Sequence, residues 1–94
     1  LLKELTVNKK SSISLQKHRH RAEYWSVIHG KPKITIGKKF FFKKANENIF
    51  IPKDTVHRIE NIYNKPVKIV EAQLGTLLKE TDIVRYHDVY GRVK

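Results

Sequence analysis

Short apolar or alternating runs, each stopped within a few residues by turn-forming positions, constrain this chain most. The runs are residues 5–7, 13–18, 23–29, 33–36, 40–43, 49–51, 56–62 and 67–73. Between them lie polar or turn-rich stretches such as Gly30-Lys31-Pro32, Gly37-Lys38, Ala45-Asn46-Glu47-Asn48 and Tyr63-Asn64-Lys65-Pro66. Glu23-Tyr24-Trp25-Ser26-Val27-Ile28-His29 is the strongest strand, rich in aromatic and β-branched residues that suit a pleated surface. No stretch carries a convincing amphipathic helix of three turns, and residues 76–84 read equally as a short helix or as extended chain. Strands this short and numerous must close on themselves to hide their edges. The expected architecture is therefore all-β, a small jelly-roll barrel lined by every second residue of each strand.

The 94 residues fit one domain, spanning 1–94. A domain of this size buries roughly 60–65% of the surface exposed by its unfolded chain, enough for one compact core. The absence of cysteine excludes disulfides and thiolate metal sites, so any metal must be held by nitrogen and oxygen. No run of about 18 apolar residues is present, so no helical membrane span is expected. The opening Leu1-Leu2-Lys3-Glu4 does not read as a signal peptide, and a soluble cytoplasmic protein is expected. The start on apolar residues without a Met suggests a piece of something longer.

Twenty Lys and Arg against nine Asp and Glu give a net charge of +11, which favours anionic partners. The lysines are scattered, which fits a solvated basic surface. Only Lys38-Lys39 and Lys43-Lys44, flanking Phe40-Phe41-Phe42, form a local cluster. Lysines interleaved with aromatics can bind single strands, but such a run is more often a strand with one wet face, and nucleic acid is not the expected partner.

Two segments carry the chemistry. Alternation places Gln16 and His18 on one strand face, with Glu23 on the next strand and Trp25 and Val27 sharing its face. His57 follows a Pro52-containing turn and heads a later strand. If the barrel brings these faces together, Gln16, His18, Glu23 and His57 offer two imidazoles, a carboxylate and an amide oxygen to one divalent ion. Zinc is expected first, with cobalt, manganese or magnesium as alternatives, and positions left open for water or substrate. The competing reading pairs Glu23 with Arg21 and leaves Gln16 at the surface.

The spacing resembles the cupin signature. Its first motif is H-x-H, three or four residues, Glu, six residues, Gly; here Gln16 replaces the first His, followed by His18, Glu23 and Gly30. Its second motif, P-x-G-x-x-H-x-x-x-N, matches Pro52, His57 and Asn61, with Asp54 where Gly is usual. Asp tolerates the same left-handed backbone. More narrowly, Leu15-Gln16-Lys17-His18-Arg19-His20-Arg21-Ala22-Glu23-Tyr24-Trp25 resembles a segment of the type II mannose-6-phosphate isomerases. In those proteins it lies in a C-terminal cupin domain, usually fused to a mannose-1-phosphate guanylyltransferase domain. Glu71-Ala72-Gln73-Leu74-Gly75, Glu80-Thr81-Asp82-Ile83-Val84-Arg85 and Asp88-Val89-Tyr90-Gly91-Arg92 are similar to the same family. Tyr24 departs from it, standing where His is usual. Nothing here resembles the Gly-rich motif of the nucleotidyltransferase domain, so this chain alone is not expected to make GDP-mannose.

The resemblance implies an enzyme, a metal-dependent isomerase interconverting mannose 6-phosphate and fructose 6-phosphate. It implies Gln16, His18, Glu23 and His57 as metal ligands, and Arg21 and Arg92 as groups that hold the phosphate or stabilise the enediolate. His20 is the candidate base, because alternation puts it on the face of His18 unless a turn intervenes. The implied partners are a phosphorylated hexose and a second copy of the chain as a homodimer. The rival readings are a non-catalytic sugar-phosphate-binding or oligomerisation cupin, a different cupin enzyme, and a basic nucleic-acid-binding barrel.

Overall fold

The computed structural model describes residues 1–75 and 83–85. Among these residues ten strands pair antiparallel into two sheets. They are β1 (Leu2–Val7), β2 (Ser11–Ser12), β3 (Gln16–Lys17), β4 (Arg21–His29), β5 (Lys33–Ile36), β6 (Lys39–Phe42), β7 (Asn48–Ile51), β8 (His57–Asn61), β9 (Val67–Gly75) and β10 (Val84–Arg85). One sheet runs β1-β9-β4-β7, and the other runs β10-β3-β8-β5-β6, with β2 also on β8. The all-β expectation holds, and most strands fall where alternation and turn residues put them. The short helix considered for 76–84 and the site residue Arg92 lie, wholly or mostly, outside the described residues.

One expected strand is cut short, to Gln16–Lys17. The run 13–18 gives no single strand: Ser12 pairs with Glu60, and the next pair is Gln16 with His57. That is four steps on one side against three on the other (16 − 12 and 60 − 57), so one extra residue bulges out.

The interior is split along the strands. On β4 the buried row is Arg21, Glu23, Trp25 and Val27; on β9 it is Val67, Ile69, Glu71 and Gln73. Their register sets Val27 opposite Ile69, Trp25 opposite Glu71 and Glu23 opposite Gln73. One end of the barrel is thus closed by Val7, Val27, Ile34, Ile59, Val67 and Ile69. Each such aliphatic side chain contributes roughly 1.5–3 kcal/mol when fully buried. The other end is polar, and there the chemistry gathers.

Two features brace the apolar end. Asn61, buried on β8, donates its side-chain NH2 to the Val7 and Lys65 carbonyls, pinning the apolar end of β8 to its neighbours. Gly30, after β4, has φ +85°, and a Cβ there would meet Val67 Cγ2 at 2.8 Å and the Pro66 carbonyl oxygen at 2.9 Å. Gly30→Ala is therefore expected to destabilise the fold by about 2 kcal/mol, combining the left-handed strain with the clash. Denaturant unfolding of the two chains measures it, and an unchanged midpoint would refute this account of the turn.

Candidate metal centre

The polar end converges on Glu23. Strand β4 carries it inward, 1% exposed, between the two imidazoles. His18 Nε2 lies 3.2 Å from Glu23 Oε2, and His57 Nε2 lies 3.9 Å from Glu23 Oε1. One ligand atom from each of these three buried residues falls within 4.8 Å of the others.

Local structure aims each group. The backbone pairing of Gln16 with His57 sets β3 against the start of β8. The turn before His57 contains Asp54 at φ +57°, the left-handed conformation expected of the position that is usually Gly. Its amide donates to the His18 carbonyl, and its carboxylate meets Lys17 Nζ at 3.2 Å. The second motif is thereby tied to the loop carrying His18. His57 Nδ1 donates to the Thr55 carbonyl at 2.9 Å, which leaves Nε2 as the bare lone pair facing Glu23.

Burial pulls the His57 pKa down to about 4. The Thr55 hydrogen bond opposes this, nearby His18 and Arg21 add to it, and Glu71 opposes it more weakly. The ring is therefore neutral at neutral pH and ready to ligate. Two imidazoles and a carboxylate form a donor set that fits a first-row divalent ion such as zinc.

Gln16 lines the same cavity of about 130 Å³ as His18, Glu23 and His57. Its Nε2 donates to the Ser14 carbonyl at 3.2 Å, which turns the amide nitrogen to the backbone. Arg21 is buried beside the triad. Its Nε donates to Glu23 Oε2 at 3.0 Å and its Nη2 to His18 Nε2 at 3.1 Å. The pairing of Arg21 with Glu23, the competing reading of these residues, is thus present without removing Glu23 from the triad. His20 is a different case. The chain bends at Arg19 and His20, alternation breaks, and His20 is exposed and not among the described residues lining the cavity. The turn that would take His20 off the face of His18 is there.

Two further site residues come from β9. Trp25 Nε1 donates both to Glu23 Oε1 at 3.0 Å and to Glu71 Oε1 at 3.1 Å, and Gln73 Nε2 donates to Glu71 Oε2 at 2.6 Å. Burial raises the Glu71 pKa; the Gln73 hydrogen bond opposes this and the charge of Glu23 adds to it. The signal in the sequence was a pair of polar residues continuing the inward row of Val67 and Ile69.

Comparison with known proteins fits this geometry. Residues 1–88 match the family model for the mannose-6-phosphate isomerase C-terminal domain. The chain belongs to this family. Among its relatives, the alginate biosynthesis protein AlgA of Pseudomonas putida is 43% identical over 91 residues, covering 97% of this chain and 19% of AlgA. The mannose-1-phosphate guanylyltransferase ManC of Salmonella typhimurium is 39% identical, covering 98% of this chain and 19% of ManC. The chain thus spans about a fifth of the length of these curated relatives. Among solved structures, the cupin domain of Schizosaccharomyces pombe Cnp3 superposes with a TM-score of 0.76 at 15% identity, over 80% of this chain and 55% of that one. A double-stranded β-helix protein of Klebsiella pneumoniae gives 0.78 at 18% identity, over 89% and 71%. The fold of this family member is the cupin jelly roll. Among the described residues no helix is long and apolar enough to cross a membrane.

A protonation measurement tests the centre. In metal-free protein the His57 ring is expected to titrate near pH 4, well below an ordinary histidine, when followed by NMR. Because the folded pKa is depressed below the unfolded 6.5, the unfolded chain takes the proton first. Stability should accordingly fall as pH drops from about 6.5 to about 4. A His57 midpoint near 6.5 would overturn the buried, neutral ligand.

Proposed function

We propose that this chain is the isomerase domain of a bifunctional isomerase and guanylyltransferase, interconverting mannose 6-phosphate and fructose 6-phosphate with a bound divalent metal. The observation that carries this reading is the buried triad of His18, Glu23 and His57 with Arg21 against it. The family match and the relatives' printed roles in alginate biosynthesis and mannose-1-phosphate guanylyl transfer support the substrate class.

The reaction moves a proton between C2 and C1 of the open-chain sugar through a cis-enediolate. His18, Glu23, His57 and the Gln16 oxygen would hold the ion, with zinc favoured by the donor set. When bound, a divalent ion supplies the Lewis acidity that polarises the carbonyl and stabilises the enediolate oxygen. Trp25 fixes Glu23 through its indole N–H and lines the cavity. Arg21 offers a buried guanidinium to the phosphate or the enediolate. Arg92 belongs to the same proposal as a second phosphate contact. The exposed position of His20 lends no support to a role as base. A cytoplasmic setting fits a cysteine-free chain with a sugar phosphate as substrate, and a homodimer completes the proposal.

With Zn²⁺ or Co²⁺ supplied, a coupled assay should show turnover of mannose 6-phosphate. Replacing both imidazoles, His18→Ala with His57→Ala, should abolish bound metal and lower the rate by about 100-fold or more. Undiminished metal content in that double variant would reject the site. Sugar-phosphate binding by the wild-type chain without any turnover would favour a non-catalytic cupin instead.

A further inference from the structure

Two lone-pair atoms that would ligate a metal face one cation already. His18 Nε2 and Glu23 Oε2 stand 3.2 Å apart, and the Arg21 guanidinium donates to both, through Nη2 at 3.1 Å and Nε at 3.0 Å. Arginine stays protonated under all ordinary conditions, so this is a fixed positive charge. Arg21 is 5% exposed, Glu23 1% and His18 4%, so water screens the arrangement poorly. The third corner of the guanidinium, Nη1, is buried with no hydrogen-bond partner among the described residues. An unpaired buried donor is costly, so this geometry is good for Glu23 and His18 but poor for Arg21.

We propose that Arg21 is a resident stand-in cation, which competes with the metal for Glu23 and His18 and sets the metal affinity of the centre. The claim rests on the same triad as the proposed function but requires no turnover. Nε2 of His18 has a single lone pair, so it can accept from Arg21 or ligate an ion, not both. Glu23 Oε2 has more than one acceptor site, but a guanidinium at hydrogen-bond distance repels a divalent ion at the same oxygen. Loading the metal therefore requires the guanidinium to leave His18. Its freed N–H groups, Nη1 among them, then need an acceptor, and an anionic ligand in the cavity supplies one. Metal and anion should consequently bind with positive coupling through this side chain.

Titration of Zn²⁺ into the apo chain by calorimetry, with and without inorganic phosphate, tests this. Arg21→Met keeps much of the side-chain volume and removes the charge. It is expected to bind Zn²⁺ at least tenfold more tightly than wild type, with a less stable apo form. Phosphate should tighten Zn²⁺ binding to wild type by several-fold and leave Arg21→Met unchanged, once zinc–phosphate association in solution is subtracted. If Arg21→Met does not fold, Arg21→Lys serves. A single ammonium reaches fewer acceptors than the fork, and Zn²⁺ binding should again tighten. Equal or weaker Zn²⁺ binding in the folded variant would overturn the proposal, because it would make Arg21 a support for the ligands. Failure of the isomerase assay with this tightening intact would count against the proposed reaction alone.

Discussion

Everything at the polar end of this barrel answers to one buried carboxylate. Glu23 sits almost wholly out of water, and an isolated ion there would be prohibitively unstable. It is made tolerable by Arg21 on Oε2 and Trp25 on Oε1. All three alternate on β4, so the partners arrive with the strand itself. The indole N–H is shared with Glu71, which brings in β9, and Glu71 in turn needs Gln73. A single charged residue thus dictates the inward row of two neighbouring strands. Substituting Glu23 alone would leave Arg21 as an uncompensated buried cation, so the centre cannot be dismantled one residue at a time without cost to folding.

The apolar end makes this affordable. Val27 and Ile69 face each other one register step beyond Trp25 and Glu71 on the same two strands. The same β4 and β9 therefore act as core at one end and as site at the other. A helix would need two different faces for this, whereas paired long strands need only length. The turn at Gly30 and the Asn61 side chain brace the apolar end, which frees the opposite end to carry lone pairs turned toward one another.

How much of this the sequence disclosed depended on whether the relevant period was the strand's own. Alternation of two located β4, β5, β8 and β9 and put Glu23, Trp25 and Val27 on one face. The turn chemistry at Pro52 and Asp54 placed His57. Alternation failed wherever the chain leaves the pleat without a Gly or Pro to announce it. The bend at Arg19 and His20 carries ordinary basic residues, so His20 appeared to share the face of His18. The bulge between Ser12 and Gln16 is likewise unmarked, which is why only Gln16–Lys17 of the run 13–18 forms a strand. Glu71 and Gln73 were visible as polar residues in an apolar row, but their role depends on β4 pairing with β9 so that Trp25 lies opposite Glu71, a long-range register that sequence spacing does not encode.

Charge balance links the proposed metal to the proposed kind of substrate. Without an ion, Arg21 and Glu23 cancel, and His57 is neutral because burial disfavours its protonation. A divalent ion entering this enclosed space would add two positive charges beside a guanidinium, an unfavourable change where water screens poorly. Glu71, whose pKa burial raises, is a second carboxyl group close to Glu23 and takes part in the same balance. A doubly charged anion from solution would offset the charge that the ion brings. A neutral sugar would bring no such compensation, whereas the sugar phosphate of the proposed reaction would, and Arg21 Nη1, without a hydrogen-bond partner among the described residues, would be a donor for it.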